Sequence, residues 1–325
     1  MAMQSESFDC VIVGAGISGL LAATELERAG VRTCILEKGR GPGGRMATRR
    51  RDGAVFDHGA QFFTARDPRF GARVEEWLGH GIVKPWYEFP GSDTHYRGHP
   101  GMTAVPKHLA ADLDVRCDTT VGDIGYSGGV WTLGAASQLF VAPSLLLTAP
   151  VPQSLALLDS GGVLLPPTVR LELETIRFHR CIAALALLDR PSALEQHGGS
   201  IKLAEEPVQW IADNQRKGIS PNATAVTIHS TPAFADKHWD AEDSRRLPPL
   251  LEAAAPHLEA QVIACHGHRW GFSQPMRAFS TEAFVDQDRR FAIAGDGLAG
   301  GRVEGAAISG LAAATELIRT LPSNG

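Results

Sequence analysis

The chain has 325 residues, 44% of them hydrophobic and 21% charged, with a net charge of −5. That length supports a large core and two domains, and the mildly acidic balance gives no electrostatic case for nucleic acid or an anionic membrane surface. No run is long and apolar enough to span a bilayer, since LLLTAPVPQSLALL is broken by prolines, and MAMQSESFD has no basic leader region. Cys10, Cys34, Cys117, Cys181 and Cys265 are scattered, with no C-x-x-C pair. Buried reduced thiols and a cytoplasmic location are therefore expected.

The opening segment reads strand, glycine turn, helix, strand. Asp9–Val13 is a short apolar run of the kind a buried parallel strand requires, and it stops at Gly14. Gly14, Gly16 and Gly19 have the G-x-G-x-x-G spacing: a tight turn, a close backbone approach to a pyrophosphate, and a close helix–strand contact. Ala15, Ile17 and Ser18 fill the motif. A helix over 18–29 then aims its unpaired N–H groups and positive dipole end at the pyrophosphate. VRTCILE is the second strand, and Glu37 falls at its tip, placed to accept from an adenosine ribose. Its blander alternative is a solvated strand end. An acid here disfavours a 2′-phosphate by repulsion.

After Glu37 and Lys38, glycines at 39, 41, 43 and 44 predict a loop able to lie against a ligand, followed by Arg45 as a fixed cation. Arg49–Arg51 reads as a solvated basic face. Residues 70–78 predict an amphipathic helix, the Gly-, Pro- and aromatic-rich stretch after it a hairpin, and 103–113 a second helix. DVRCDTTVGDI, GGVWTL and QLFVAPSLLLTAP predict a small meander and a return strand into the main sheet, with Val121 beside the place for an adenine. RFHRCIAALALLDR, PVQWIADNQRK, ATAVTIHST and QVIACHGHRWGF predict further strands, and 245–259 a helix interrupted by Pro248, Pro249 and Pro256. RRFAIAGD predicts a strand ending at Gly295 and Asp296, then a glycine-rich turn into a helix over 305–317.

GAGISG with Glu37, GPGGRM, DHGAQFF, LLTAP and AGDGLAGGRVEGAAISG together resemble the flavin-containing amine oxidase superfamily, and GGRMATRR, DHGAQFFTARDPRF, HRWGFSQP and GRVEGA resemble its renalase-like branch. The resemblance covers nearly the whole chain. It implies an α/β fold with a Rossmann-type FAD-binding domain and an inserted β-sheet/helix substrate domain. The FAD part is expected at 1–68, 99–155 and 286–325, and the substrate part at 69–98 and 156–285. Carried over by residue, it implies that Gly14–Gly19 hold the FAD pyrophosphate and that Glu37, with Lys38 beside it, meets the ribose. Gly43, Gly44, Arg45 and Met46 would line the pyrophosphate and flavin. Gly59, Ala60, Gln61, Phe62 and Phe63 would sit near the isoalloxazine, and Val121 at the adenine. Gly295 and Asp296 would face the ribityl chain or pyrophosphate, and Arg302, Val303, Glu304 and Ala306 the pyrimidine edge.

Many members carry a lysine near flavin N5, but the corresponding strand here reads HGHRWGF. That counts against ordinary amine oxidation. No cysteine lies in the C-terminal flavin segment, so noncovalent FAD is expected. Phe62, His268, Arg269 and Trp270 are the candidate flavin-facing or pocket residues, with Phe62 and Trp270 as aromatic walls for a flat ring. No histidine spacing makes a metal site, and Trp210, Trp239 and Trp270 read first as core or interface residues. Three functions fit. The first is a renalase-like oxidase of 2- or 6-dihydro isomers of NAD(P)H, with O2 as acceptor and H2O2 as product. The second is an amine oxidase or desaturase-like enzyme. The third is an FAD-binding protein without turnover.

Overall fold

The computed structural model describes residues 4–88, 93–195, 198–203 and 205–320. The chain forms two compact units, one of Met1–Gly44, Pro106–Arg177 and Gln274–Gly325, the other of Arg45–Val105 and Phe178–Ser273. The crossings therefore fall at other positions than the 68, 98, 155 and 285 expected from sequence. The reason for the first is packing: the hairpin Thr48–Arg51/Ala54–Asp57 buries Ala54 and Phe56 among Ala183, Leu185 and Ala225 of the second unit's sheet.

The first unit is built on a six-stranded sheet in the order Phe284–Asp286, Phe291–Ile293, Ser144–Leu147, Cys10–Val13, Thr33–Leu36, Val115–Arg116. All neighbours are parallel except the first pair. Strands 10–13, 33–36 and 144–147 are buried at every residue, as a parallel sheet covered on both faces demands. Helix Ile17–Arg28 lies against helix Val303–Arg319 closely enough that a Cβ on Gly310 would stand 2.2 Å from the Ser18 carbonyl oxygen. The predicted meander is present, with Asp123–Ser127, Val130–Ala135 and Gln138–Ala142 in an antiparallel sheet. Short elements that the sequence does not announce include Gln4–Ser7, which adds a parallel strand to the meander, the edge strand Phe284–Asp286 and the helix Asp296–Ala299.

The second unit has a five-stranded sheet in the order Ser200–Lys202, Val208–Asp213, Ala225–Ser230, Phe178–Leu188, Val262–Pro275. Helix Asp243–Leu258 covers it, burying Leu247, Leu250, Ala254 and Leu258 with Ile182, Ala184, Ile211 and Ile228. The expected interruption does not occur: the helix runs through Pro248, Pro249 and Pro256. Burial of that apolar face outweighs the missing N–H donors and the ring clash. Helix Pro68–Gly79 starts at Asp67, whose side chain accepts the Arg69 N–H at 2.9 Å. The second hairpin pairs Val83–Tyr87 with His95–Gly98, and residues 89–92 of its predicted loop lie outside the described residues. The fully buried tryptophans are Trp77 and Trp131, whereas Trp210, Trp239 and Trp270 are only partly buried. Among the described residues no helix is long and apolar enough to cross a membrane.

Candidate cofactor and substrate sites

In the first unit the glycine turn is dictated by contacts. Gly14 sits at φ +108°, and a Cβ there would come within 2.7 Å of Thr148 Oγ1. A Cβ on Gly19 would lie 2.1 Å from the Gly14 carbonyl oxygen, whereas one on Gly16 would meet nothing within 4 Å. Gly16 thus faces open space at the start of a helix with no side-chain cap and no acid in its first turn. The Ser18 hydroxyl is buried there without a hydrogen-bond partner. Gly43, at φ +135°, donates its N–H to the Ala15 carbonyl at 2.8 Å and brings Gly44 in beside Gly16.

Glu37 is not a free strand end. Its Oε2 accepts the Ala15 N–H at 2.8 Å and its Oε1 the Gly39 N–H at 2.6 Å. The backbone of 116–119 is tied to Glu37 and Gly39, which leads directly to the buried Val121. Lys38 is exposed and turns toward Gln153 at 3.4 Å. In the C-terminal segment Gly295, at φ +136°, donates to Ser309 Oγ at 2.8 Å, and Asp296 opens its short helix, 6% exposed. Arg302 precedes helix Val303–Arg319, and Val303, Glu304 and Ala306 lie in the first turn, which has no side-chain cap. A Cβ on Gly305 would stand 2.1 Å from the Gly300 carbonyl oxygen, so the turn closes only with glycine.

In the second unit, Asp57 is the centre. Its carboxylate receives Lys217 Nζ at 2.7 Å on one oxygen, and Thr48 Oγ1 at 2.6 Å and the Met102 N–H at 2.9 Å on the other. Both Asp57 and Lys217 have fully buried side chains. The Asp57 carbonyl accepts Gln61 Nε2 at 2.6 Å and Thr227 Oγ1 at 2.9 Å. Burial pulls the Lys217 ammonium below its usual pKa, and Asp57 opposes that shift. This network fixes the path of residues 57–62. Gly59 lies so close to the Arg45 carbonyl that a Cβ would be 2.0 Å away, and the Ala60 N–H donates to the same oxygen at 2.8 Å.

The predicted aromatic walls separate into two clusters. His58 packs against His268 at 4.7 Å and Trp270 at 5.1 Å between ring centroids, and Trp270 Nε1 donates to the His58 carbonyl at 2.8 Å. Phe62 packs instead against His95 at 4.4 Å, Trp210 at 5.7 Å, Tyr87 at 6.2 Å and Trp86 at 6.3 Å. Phe63 and Met46 turn into the core, Phe63 between Phe70 and Tyr96. Arg45 reaches Ser273 O at 3.4 Å. Arg269 points away from His268 and Trp270, stacking on Trp239 at 5.2 Å, because alternate strand residues face opposite sides. Arg49 departs from the solvated-face expectation: it is partly buried, with Nη2 3.5 Å from His268 Nδ1.

Burial lowers the His58 pKa to about 3, helped by His268 and Arg49. Burial likewise lowers His229 and His268 to about 4 each. The cluster is therefore neutral at physiological pH. Sequence reasoning missed Asp57, Lys217 and Arg97. No spacing joins them, since the pairings bridge 160 positions for Asp57 and Lys217; only the polar DHG between apolar residues hinted at Asp57.

The first unit's geometry is that of a dinucleotide-binding site, and comparison with known proteins gives the family. A family described as NAD(P)-binding Rossmann-like domain matches residues 12–77, and the flavin-containing amine oxidoreductase family matches residues 78–318. The chain belongs to the flavin-containing amine oxidoreductases. Prolycopene isomerase 2 of an Oncidium hybrid cultivar is 44% identical over 113 residues, 35% of this chain and 18% of that protein. Lycopene-forming phytoene desaturase of Pseudescherichia vulneris is 37% identical over 83 residues, 24% of this chain and 17% of that protein. These matches span under a fifth of either relative. Among solved structures, wild-type putrescine oxidase bound to putrescine matches with TM-score 0.75 at 16% identity, covering 97% of this chain and 100% of that one. A fatty acid isomerase of P. acnes matches with TM-score 0.69 at 13% identity, covering 96% and 98%. Both likenesses concern the fold.

The first unit's residues fit FAD. Gly16 is open, the adjoining helix start is uncapped, the Ser18 hydroxyl lacks a partner, and Glu37 retains acceptor lone pairs for ribose hydroxyls.

Proposed function

We propose that this chain is a renalase-like oxidase that takes hydride from misreduced nicotinamide dinucleotides, the 2- and 6-dihydro isomers of NAD(P)H, and passes the electrons to O2 to give NAD(P)+ and H2O2. The bound FAD supplies the hydride acceptor and the reaction with O2. The first unit holds it through Gly14–Gly19, Glu37, Gly43, Gly44, Val121, Gly295, Asp296 and the 302–306 turn. The residues of the second unit proposed to meet substrate are Phe62, His268 and Trp270.

One observation carries the reading. Strand Val262–Pro275 has no lysine, and the one fully buried lysine among the described residues, Lys217, is committed to Asp57 at 2.7 Å. An amine must shed a proton before it gives hydride, and a base must take it. A dihydropyridine gives hydride directly, so a site without a poised base suffices. The buried thiols Cys10, Cys34 and Cys181 suit a reducing cytoplasm. Family membership supports the second reading, an amine oxidase or desaturase. Anaerobic stopped-flow with 2-, 4- and 6-dihydro-NAD(P) and a panel of amines separates the two. Rapid flavin bleaching by the 2- or 6-dihydro isomers is expected, with ordinary 4-dihydro-NADH slower because its hydridic carbon is misaligned. Faster bleaching by any amine would overturn the assignment and leave the FAD fold standing.

A further inference from the structure

Around Phe62 the second unit assembles a box of rings from Trp86, Tyr87, His95 and Trp210. Rings alone would suit a cation. Two buried N–H donors argue for a different ligand, one on Trp210 of the box and one on Arg97, two residues along the strand from His95. Trp210 Nε1 and Arg97 Nη1 are both buried without a hydrogen-bond partner. Burying a donor unpaired is costly, and native proteins rarely leave one without a use.

Arg97 stands two residues from His95 on the same strand, so the two share a face, and the His95 ring is 4.4 Å from Phe62. Its guanidinium rests on Gly218, where a Cβ would lie 3.0 Å from Nη2. The nearby carboxylate, Asp57, is occupied by Lys217, Thr48 and Met102, and among the described residues no carboxylate lies within ion-pair distance of Arg97. Lys217 and Arg97 thus bring two positive charges to one buried carboxylate, since Asp57 acts on both. The Lys217 ammonium is 4.8 Å from the Trp86 ring and already occupies the cation's place on it.

We propose that Arg97 and Trp210 are specificity-determining donors for a carbonyl acceptor carried by a flat ring against Phe62, which admits the carboxamide of a nicotinamide and rejects a protonated amine. This deepens, and rests on, the dihydronicotinamide reading. The carboxamide oxygen satisfies the orphaned donors, whereas an ammonium leaves both unpaired and is repelled by Arg97.

The test titrates oxidised holoenzyme with nicotinamide and with benzylamine, read by isothermal titration calorimetry, and with nicotinate to separate carboxamide from carboxylate. Wild type is expected to bind nicotinamide more tightly than benzylamine. Trp210→Phe keeps the ring and loses the N–H, and should weaken nicotinamide about 3- to 10-fold with FAD content and circular dichroism unchanged. Arg97→Gln should do the same and bind benzylamine better than wild type does. Unchanged nicotinamide affinity in a folded Trp210→Phe, tighter wild-type binding of benzylamine or nicotinate, or no binding of nicotinamide would each overturn the proposal. Trp210→Phe keeps it falsifiable should Arg97→Gln fail to fold. A wild-type flavin that 2- and 6-dihydro-NAD(P) leave oxidised would sink the functional reading instead, because the affinity comparison does not require turnover.

Discussion

A lysine ammonium with no exposure persists only where a carboxylate and its hydrogen bonds replace water, and the 2.7 Å contact with Asp57 does this for Lys217. Lys217→Met leaves that carboxylate buried and unpaired, and should destabilise the protein by about 3–5 kcal/mol in urea unfolding. Adding Asp57→Asn removes the stranded charge and should recover more than half; a double variant no more stable than the single would show that the pair is not the cause. Glu37 is bound to the cofactor frame in another way. Its carboxylate organises the Ala15 and Gly39 amides, so Glu37→Ala removes their acceptor together with the proposed ribose contact. FAD affinity should fall at least about tenfold, measured by flavin fluorescence on titrating apoprotein, and unchanged affinity would return Glu37 to a structural role. The position of Glu37 at the strand tip was legible in sequence because it is set locally, by a strand, three glycines and an acid at fixed spacing; its hold on the Ala15 and Gly39 amides was not. Lys217, Arg97 and Arg49 were not legible, because their partners come from distant strands and the sequence prints no register between them.

At the scale of elements, glycine positions separate those that permit close packing from those that merely occupy a helix. Gly310 holds helix Val303–Arg319 against helix Ile17–Arg28, with a Cβ clash of 2.2 Å onto backbone that cannot yield as a side chain would. Gly310→Ala should cost about 1–3 kcal/mol and loosen FAD, since Ser18 lies at the turn. Gly71, inside helix Pro68–Gly79 with nothing within 4 Å of its Cβ position, provides the control: Gly71→Ala should gain about 0.5–1 kcal/mol. Equal effects at the two positions in thermal unfolding would contradict the packing argument. Periodicity identified most helices and strands because apolar faces repeat locally. It failed at helix Asp243–Leu258, where prolines signalled a break and tertiary burial of Leu247, Leu250, Ala254 and Leu258 kept the helix whole. It also failed at Gln4–Ser7, a polar strand whose only signal is the partner it pairs with.

For the molecule as a whole, the buried neutral histidines couple stability to acid. His58 is 4% exposed and its folded pKa is about 3, against an ordinary value of 6.5; His229 and His268 lie near 4. Below pH 6.5 the unfolded chain binds protons that the folded chain refuses. Stability is therefore full above that value and falls as the pH drops toward 4. His58 alone contributes a slope approaching about 1.4 kcal/mol per pH unit in that window. The substitution His58→Phe keeps a ring against His268 and Trp270, and the backbone carbonyl that accepts Trp270 Nε1 is untouched. Urea midpoints of the FAD-saturated protein at pH 7.5, 6 and 5 should decline more gently in His58→Phe than in wild type. A variant with the same slope would mean that His58 gains its proton without cost in the folded state. The neutral cluster would then be a property of pH rather than of the packing that surrounds it.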